Sequence, residues 1–176
     1  MIRLACYALF GLVGLLIQTS IFPRVFPFQF KPDLILILVV YLGISQKYGY
    51  SGVLSFCFGL LYDVFAGSSF GLHGMVLLLV VLIIRSTIDY FNAENPFLLL
   101  FLVACGTVLQ AGLLVLFGTF AEAGALWQIV LQHLPGQLMA NIVTALLLML
   151  VVTYLQKRFP RLVVPGMQRL DERYEG

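Results

Sequence analysis

Charge is what this sequence has least of. Only 10% of its 176 residues are charged, while 61% are hydrophobic. A soluble domain carries about a quarter charged residues, so a soluble globular fold is excluded: too much apolar surface would have nowhere to hide. The net charge is +2, and no basic block is large enough to hold nucleic acid. Alternation of apolar and polar residues is missing too. The apolar runs are continuous, which excludes an outer-membrane barrel. Cysteine is sparse: Cys6, Cys57 and Cys105 lie inside apolar runs and make no disulfide framework. With two histidines and no metal-ligand spacing, neither a metal nor a cofactor is expected. No internal repeat supports a transporter built from inverted halves. No nucleophile sits beside a placed base, no element carries paired carboxylates, and Gly67-Ser-Ser-Phe-Gly71 lacks the lysine of a phosphate cradle. The chain does not read as an enzyme.

What remains is hydrocarbon-compatible helix, since only helices and closed barrels satisfy the backbone in lipid. The sequence predicts an all-α integral membrane protein with six transmembrane helices over 4–22, 33–46, 49–66, 70–88, 96–119 and 135–155. Residues 1–156 form the membrane domain and 157–176 a short basic tail. The first apolar run lacks a small-x-small cleavage site and reads as a retained helix, not a signal peptide. Between the last two spans, Trp127, Val130, Leu131 and Leu134 recur at helical spacing. This suggests a short interfacial helix over 121–134, with a plain loop as the alternative. Basic residues set the orientation. With both termini in the cytoplasm, eight of the ten lie inside and only Arg24 and Lys31 outside. The tail is then either a stop-transfer flank or a docking segment for anionic lipid or a partner.

Between Lys47 and Arg85 the one charged side chain is Asp63. A carboxylate at a bilayer centre costs roughly 2.5–3.5 kcal/mol, so it should face protein or water and marks a functional site by default. In the assigned topology the intramembrane polar groups gather towards the outer half. They include Asp33, Asp63, His73, Gln110 and Asn141, with Gln18 at the end of the first span and Gln137 and Thr144 on the Asn141 face. Two arrangements fit: a polar-lined recess open outward, or separate groups each bonded to nearby backbone. Asp63 and His73, joined by a short turn, could form a charge-assisted pair; otherwise His73 is a lone interfacial histidine.

Small residues make a second pattern. Gly52, Ser55, Gly59 and Asp63 recur at three and four, and Ala8, Gly11 and Gly14 give the first span a similar surface. Such faces let another helix approach closely, from this chain or from a partner. At Gly59, alanine should be better tolerated than leucine.

Lys31-Pro-Asp33 opening an apolar run, Gly59-Leu-Leu-Tyr-Asp63, a small turn, then Gly71-Leu-His73 resembles the bacterial rod shape-determining MreD family. The resemblance covers most of the chain, its specific part lying between Lys31 and Gly74. It implies a non-enzymatic inner-membrane scaffold of the cell-elongation, peptidoglycan-synthesising machinery. The implied partner is a single-pass MreC-like protein, and through it an MreB-like filament and peptidoglycan synthases; a homodimer is a further arrangement open to it. The implied fold is similar to the substrate-binding subunits of energy-coupling-factor vitamin transporters. That similarity defines the alternative function, capture of a small molecule in the outward recess. For a scaffold, Gly11, Gly52, Ser55 and Gly59 are the candidate partner faces, with Trp127 beside the periplasmic base of the partner.

Overall fold

The computed structural model describes residues 2–25, 31–46, 48–66, 71–88, 96–120 and 126–158, and all regular structure among them is helical. Helix α1 (Ile2–Leu16) runs into a π-helical turn (Ile17–Ile21) and the short α2 (Phe22–Val25). Then come α3 (Leu34–Ser45), α4 (Tyr48–Ala66), α5 (Leu72–Ile88), α6 (Pro96–Phe120) and α7 (Leu126–Arg158). The Gly67-Ser-Ser turn, the polar turn after Ile88 and the tail from residue 159 fall outside the described residues.

Helix α3 is the axle. Its 12 residues are apolar all round, and Ile35, Leu36, Ile37, Val39, Val40, Leu42 and Gly43 are buried. A helix apolar on every face belongs in a core, and α3 touches α1, α4, α5, α6 and α7. The helices around it are apolar outside as well. On α4 the exposed residues include Tyr50, Val53, Leu61, Val64 and Phe65, and on α6 they include Phe97, Phe101, Val108 and Leu116. Each set recurs at helical spacing on the face turned away from α3, as expected where lipid replaces water.

Among the described residues, two helices carry stretches long and apolar enough to cross a membrane, Phe97–Thr119 and Val130–Tyr154. The stretches Tyr7–Ile21, Leu34–Ser45, Gly49–Phe65 and Leu72–Ile88 are apolar but shorter.

Two boundaries differ from expectation. The first span was expected to stop at Pro23, but the chain continues as helix to Val25. A proline has no N–H and its ring collides with the carbonyl four residues back. Here the turn immediately before is π-helical, and the Phe22 N–H bonds back to the Ile17 carbonyl. The segment around Trp127 is helical from Leu126, yet it is not a separate interfacial element. It runs unbroken through Pro135 into the last helix. Losing one backbone bond at Pro135 is cheaper than a chain break that would free several. The resulting 33-residue helix is about 50 Å long, more than a hydrocarbon core of about 30 Å.

Candidate functional site

Asp33 starts α3 inside the bundle, not at its surface, and is buried. A buried helix start must find acceptors for its free N–H groups. The Asp33 N–H donates to Asn141 Oδ1 at 2.6 Å. The Ile35 N–H donates to Gln18 Oε1 at 3.3 Å. The Leu36 N–H donates to Asp33 Oδ1 at 3.0 Å, the ordinary N-cap bond. The Ile37 N–H reaches the Asp33 carbonyl at 3.2 Å. Pro32 brings no N–H, so the Pro-Asp pair removes one demand and meets another.

The carboxylate then gathers amides from distant helices. Gln18 Nε2 donates to Oδ1 at 3.1 Å and Gln110 Nε2 to Oδ2 at 2.9 Å. Asn141 Nδ2 donates to Thr107 Oγ1 at 3.0 Å, and that hydroxyl donates to the Val103 carbonyl at 2.8 Å. Three of the expected site residues, Asp33, Gln110 and Asn141, therefore meet in one buried network. The π-helical turn, α3, α6 and α7 join there. Gln18, Asp33, Gln110 and Asn141, expected among the lining of a recess, bond to one another instead, because in an apolar interior the carboxylate is the strongest acceptor within reach.

Asp63 lies near the C-terminal end of α4, 1% exposed. Gly71, which has φ +91° and sits at the N-cap of α5, has no side chain to cap with. Only glycine adopts that backbone conformation cheaply. Asp63 does the capping from the preceding helix. Its Oδ2 accepts from the N–H groups of Gly71 (2.9 Å), His73 (3.1 Å) and Gly74 (3.4 Å). A carboxylate at a helix N-terminus also meets the positive end of the helix dipole. Oδ1 lies 2.7 Å from His73 Nδ1. The Tyr62 ring packs on the His73 ring, centroids 4.7 Å apart.

One turn earlier, α4 and α5 touch backbone to backbone. A Cβ on Gly59 would lie 2.5 Å from Gly74 Cα and 2.6 Å from the His73 carbonyl oxygen. Ser55 and Gly52 are buried on the same side, and a Cβ on Gly52 would rest 3.4 Å from Leu78. Gly11 on α1 is covered by the Phe58 ring of α4. These four small residues thus contact this chain's own helices. Trp127 lies in the first turn of α7, away from both carboxylates in the fold order.

Sequence reasoning left Tyr62 and Thr107 out. Tyr62 packs its ring on His73, beside Asp63. Thr107 lies three residues before Gln110, a spacing that puts both on one face of α6, where they meet Asn141 and Asp33 respectively. A tyrosine pair at the opposite end of α3 was also missed: Tyr7 and Tyr41 have ring centroids 6.2 Å apart, and Gln46 Nε2 donates to the Tyr7 hydroxyl at 3.5 Å.

Among the described residues no three His, Cys, Asp or Glu side chains gather to hold a metal. Both carboxylates are engaged by donors, and what each does is to hold a helix end. An all-helical bundle with lipid-compatible outer faces and internally satisfied carboxylates defines a membrane protein. The family model for rod shape-determining protein MreD matches residues 1–158, and the chain belongs to that family. It is accordingly a rod-shape-determining bacterial membrane protein. No curated protein and no solved structure matched.

Proposed function

We propose that this chain is a non-enzymatic, multi-pass scaffold of the elongation machinery in the inner membrane, with both termini cytoplasmic, and that it holds a single-pass MreC-like partner. Through that partner it acts with an MreB-like filament and peptidoglycan synthases. The observation that carries the reading is the family match over residues 1–158. The interior supports it: the buried polar groups at Asp33 and Asp63 hold helix ends together instead of facing an open cavity. Partner affinity then resides on outward helix faces, since Gly11 and Gly59 are already covered from within.

The test is coexpression with the periplasmic partner, followed by copurification from membranes. The partner should copurify, and Asn141→Ala should leave its recovery within about twofold of wild type. A small molecule bound stoichiometrically and lost in Asn141→Ala would replace this reading with solute capture. Cysteine labelling at Gly176 and Ser69 in intact cells checks the topology: equal labelling from outside would sink it.

A further inference from the structure

We propose that this protein thins the bilayer along its α4–α5 edge, so that the lipid favoured there has shorter chains than the lipid favoured along α6 and α7. Apolar length differs sharply within the one bundle. The stretches Phe97–Thr119 of α6 and Val130–Tyr154 of α7 measure about 35 and about 38 Å at a helical rise of about 1.5 Å per residue. Those of α4 and α5, Gly49–Phe65 and Leu72–Ile88, measure about 25 Å each. A hydrocarbon core is about 30 Å thick.

The outward side chains sharpen the contrast. On α4 they run from Tyr50 to Phe65 and on α7 from Leu131 to Tyr154, and all four are more than half exposed. The first pair lies about 22 Å apart along its helix and the second about 35 Å. Polar groups bound the short edge at both ends. A Cβ on Gly59 would meet Gly74, and one on Gly52 would meet Leu78, so α4 and α5 run antiparallel. Lys47, the residue before α4, and Arg85, in the last turn of α5, therefore belong to the same end. Both are cations, which headgroup phosphates complement. At the other end Asp63 meets His73. From His73 to Arg85 the helix rises only about 18 Å. By contrast, α7 carries no Asp, Glu, Lys or Arg from Leu126 to Gln156.

Tilt does not reconcile the two edges. A helix longer than the core tilts, and a shorter one draws the bilayer in. Helix α5 packs on α6 and α6 on α7, so the edges move together. Tilting the bundle brings the projected length of α7 down to that of the core and takes α4 further below it. The remaining mismatch falls on the lipid. A cation held in hydrocarbon is itself relieved by local thinning and by the water that enters with it. Headgroups therefore move inward along α4 and α5, and chains too short for the rest of the bilayer fit there.

The experiment uses the full chain with Trp127→Phe as background, which removes its single tryptophan. Tyr50→Trp and Phe65→Trp then report on the α4 edge, and Leu131→Trp and Tyr154→Trp on α7, each in vesicles of dioleoylphosphatidylcholine. With brominated dimyristoleoylphosphatidylcholine diluted into those vesicles, quenching should show about twofold stronger association of the short lipid at the α4 reporters than at the α7 reporters. With bromines at successive depths in the host lipid, the α4 reporters should lie no deeper than those on α7. Either α4 reporter decides alone should the other variant fail to fold. Equal association of the short lipid at both edges overturns the proposal. So do α4 reporters lying deeper than the α7 reporters by about 4 Å or more, the depth expected in an undeformed core. These vesicles hold no partner protein, so the proposal stands or falls apart from the scaffold reading.

Discussion

Asp63 and Asp33 are both buried carboxylates at helix N-termini, and they organise different distances. The partners of Asp63 lie 8 to 11 residues away, on one hairpin of adjacent helices. The cluster of Asp33 reaches 15, 77 and 108 residues away, across the bundle. The Asp63 acceptors face rigid backbone N–H groups that cannot turn aside. Those around Asp33 are largely side-chain amides, which can. The first carboxylate makes a stiff local joint. The second makes a long-range joint with adjustable parts.

Removing the stiff joint should cost most. Asp63→Ala strands three backbone N–H groups and His73 in a buried site. Removing one member of a buried charge-assisted set typically costs about 3–5 kcal/mol. Equilibrium unfolding of the purified chain in mixed micelles should register that loss. A cost below about 1 kcal/mol would mean the α5 start finds other acceptors, and the contrast between the joints would collapse. Asp63→Asn keeps one acceptor oxygen and should fall between.

Next comes Gly59. Its missing Cβ is filled by the backbone of Gly74 and His73, and backbone cannot rotate away. Gly59→Ala should therefore cost about 1–3 kcal/mol, the usual range for overpacking. Gly52→Ala, which meets only the end of Leu78 at 3.4 Å, should stay within about 0.5 kcal/mol. Similar stabilities for the two variants would show that α4 and α5 do not touch as described. The expectation that alanine is better tolerated than leucine at Gly59 came from spacing alone and leaves the cost of alanine itself open. Spacing reports that a face is small, not that the atom across from it is main chain.

The same limit explains what else was legible. Helices α4, α5 and α6 follow from apolar length and from Asp, Gly and Pro at their ends. The Asp63–His73 contact follows from a short turn. The meeting of Asp33 with Gln110 and Asn141 does not. Similar depth put them at one level of the membrane, but their azimuth around α3 is a property of the whole packing. A recess and a closed network use the same polar residues. Only the direction of each amide distinguishes them, and hydropathy carries no direction. The continuity of α7 through Pro135 was hidden because proline usually marks a boundary.

Asn141→Ala is a smaller perturbation of the adjustable joint. It removes the acceptor for the Asp33 N–H and the donor to Thr107. An unsatisfied buried backbone N–H costs about 1–3 kcal/mol. Thr107 retains its bond to the Val103 carbonyl, which keeps the loss towards the lower end. Unfolding in micelles measures it. A loss as large as that of Asp63→Ala would make both joints equally rigid.

A smaller effect than at Asn141 is expected at Gln110, and it is the most telling. Gln110→Met keeps the length of the side chain and deletes two polar atoms. One, Nε2, donates to Asp33 Oδ2; the other, Oε1, has no partner. Losing a hydrogen bond to a charged group costs roughly 1.5–3 kcal/mol. Deleting a buried unpartnered oxygen returns roughly 1–3 kcal/mol. The two nearly cancel, so the net change should be within about 1 kcal/mol. Combining Gln110→Met with Asp33→Asn in a double-mutant cycle isolates the bond itself. An asparagine that keeps its oxygen on the Leu36 N–H presents its NH2 to Gln110 and is met only if the Gln110 amide turns, so Asp33→Asn should cost more once Gln110 is methionine. Additive costs would mean that the amide does not turn, and the Asp33 joint would then be as fixed as the one at Asp63.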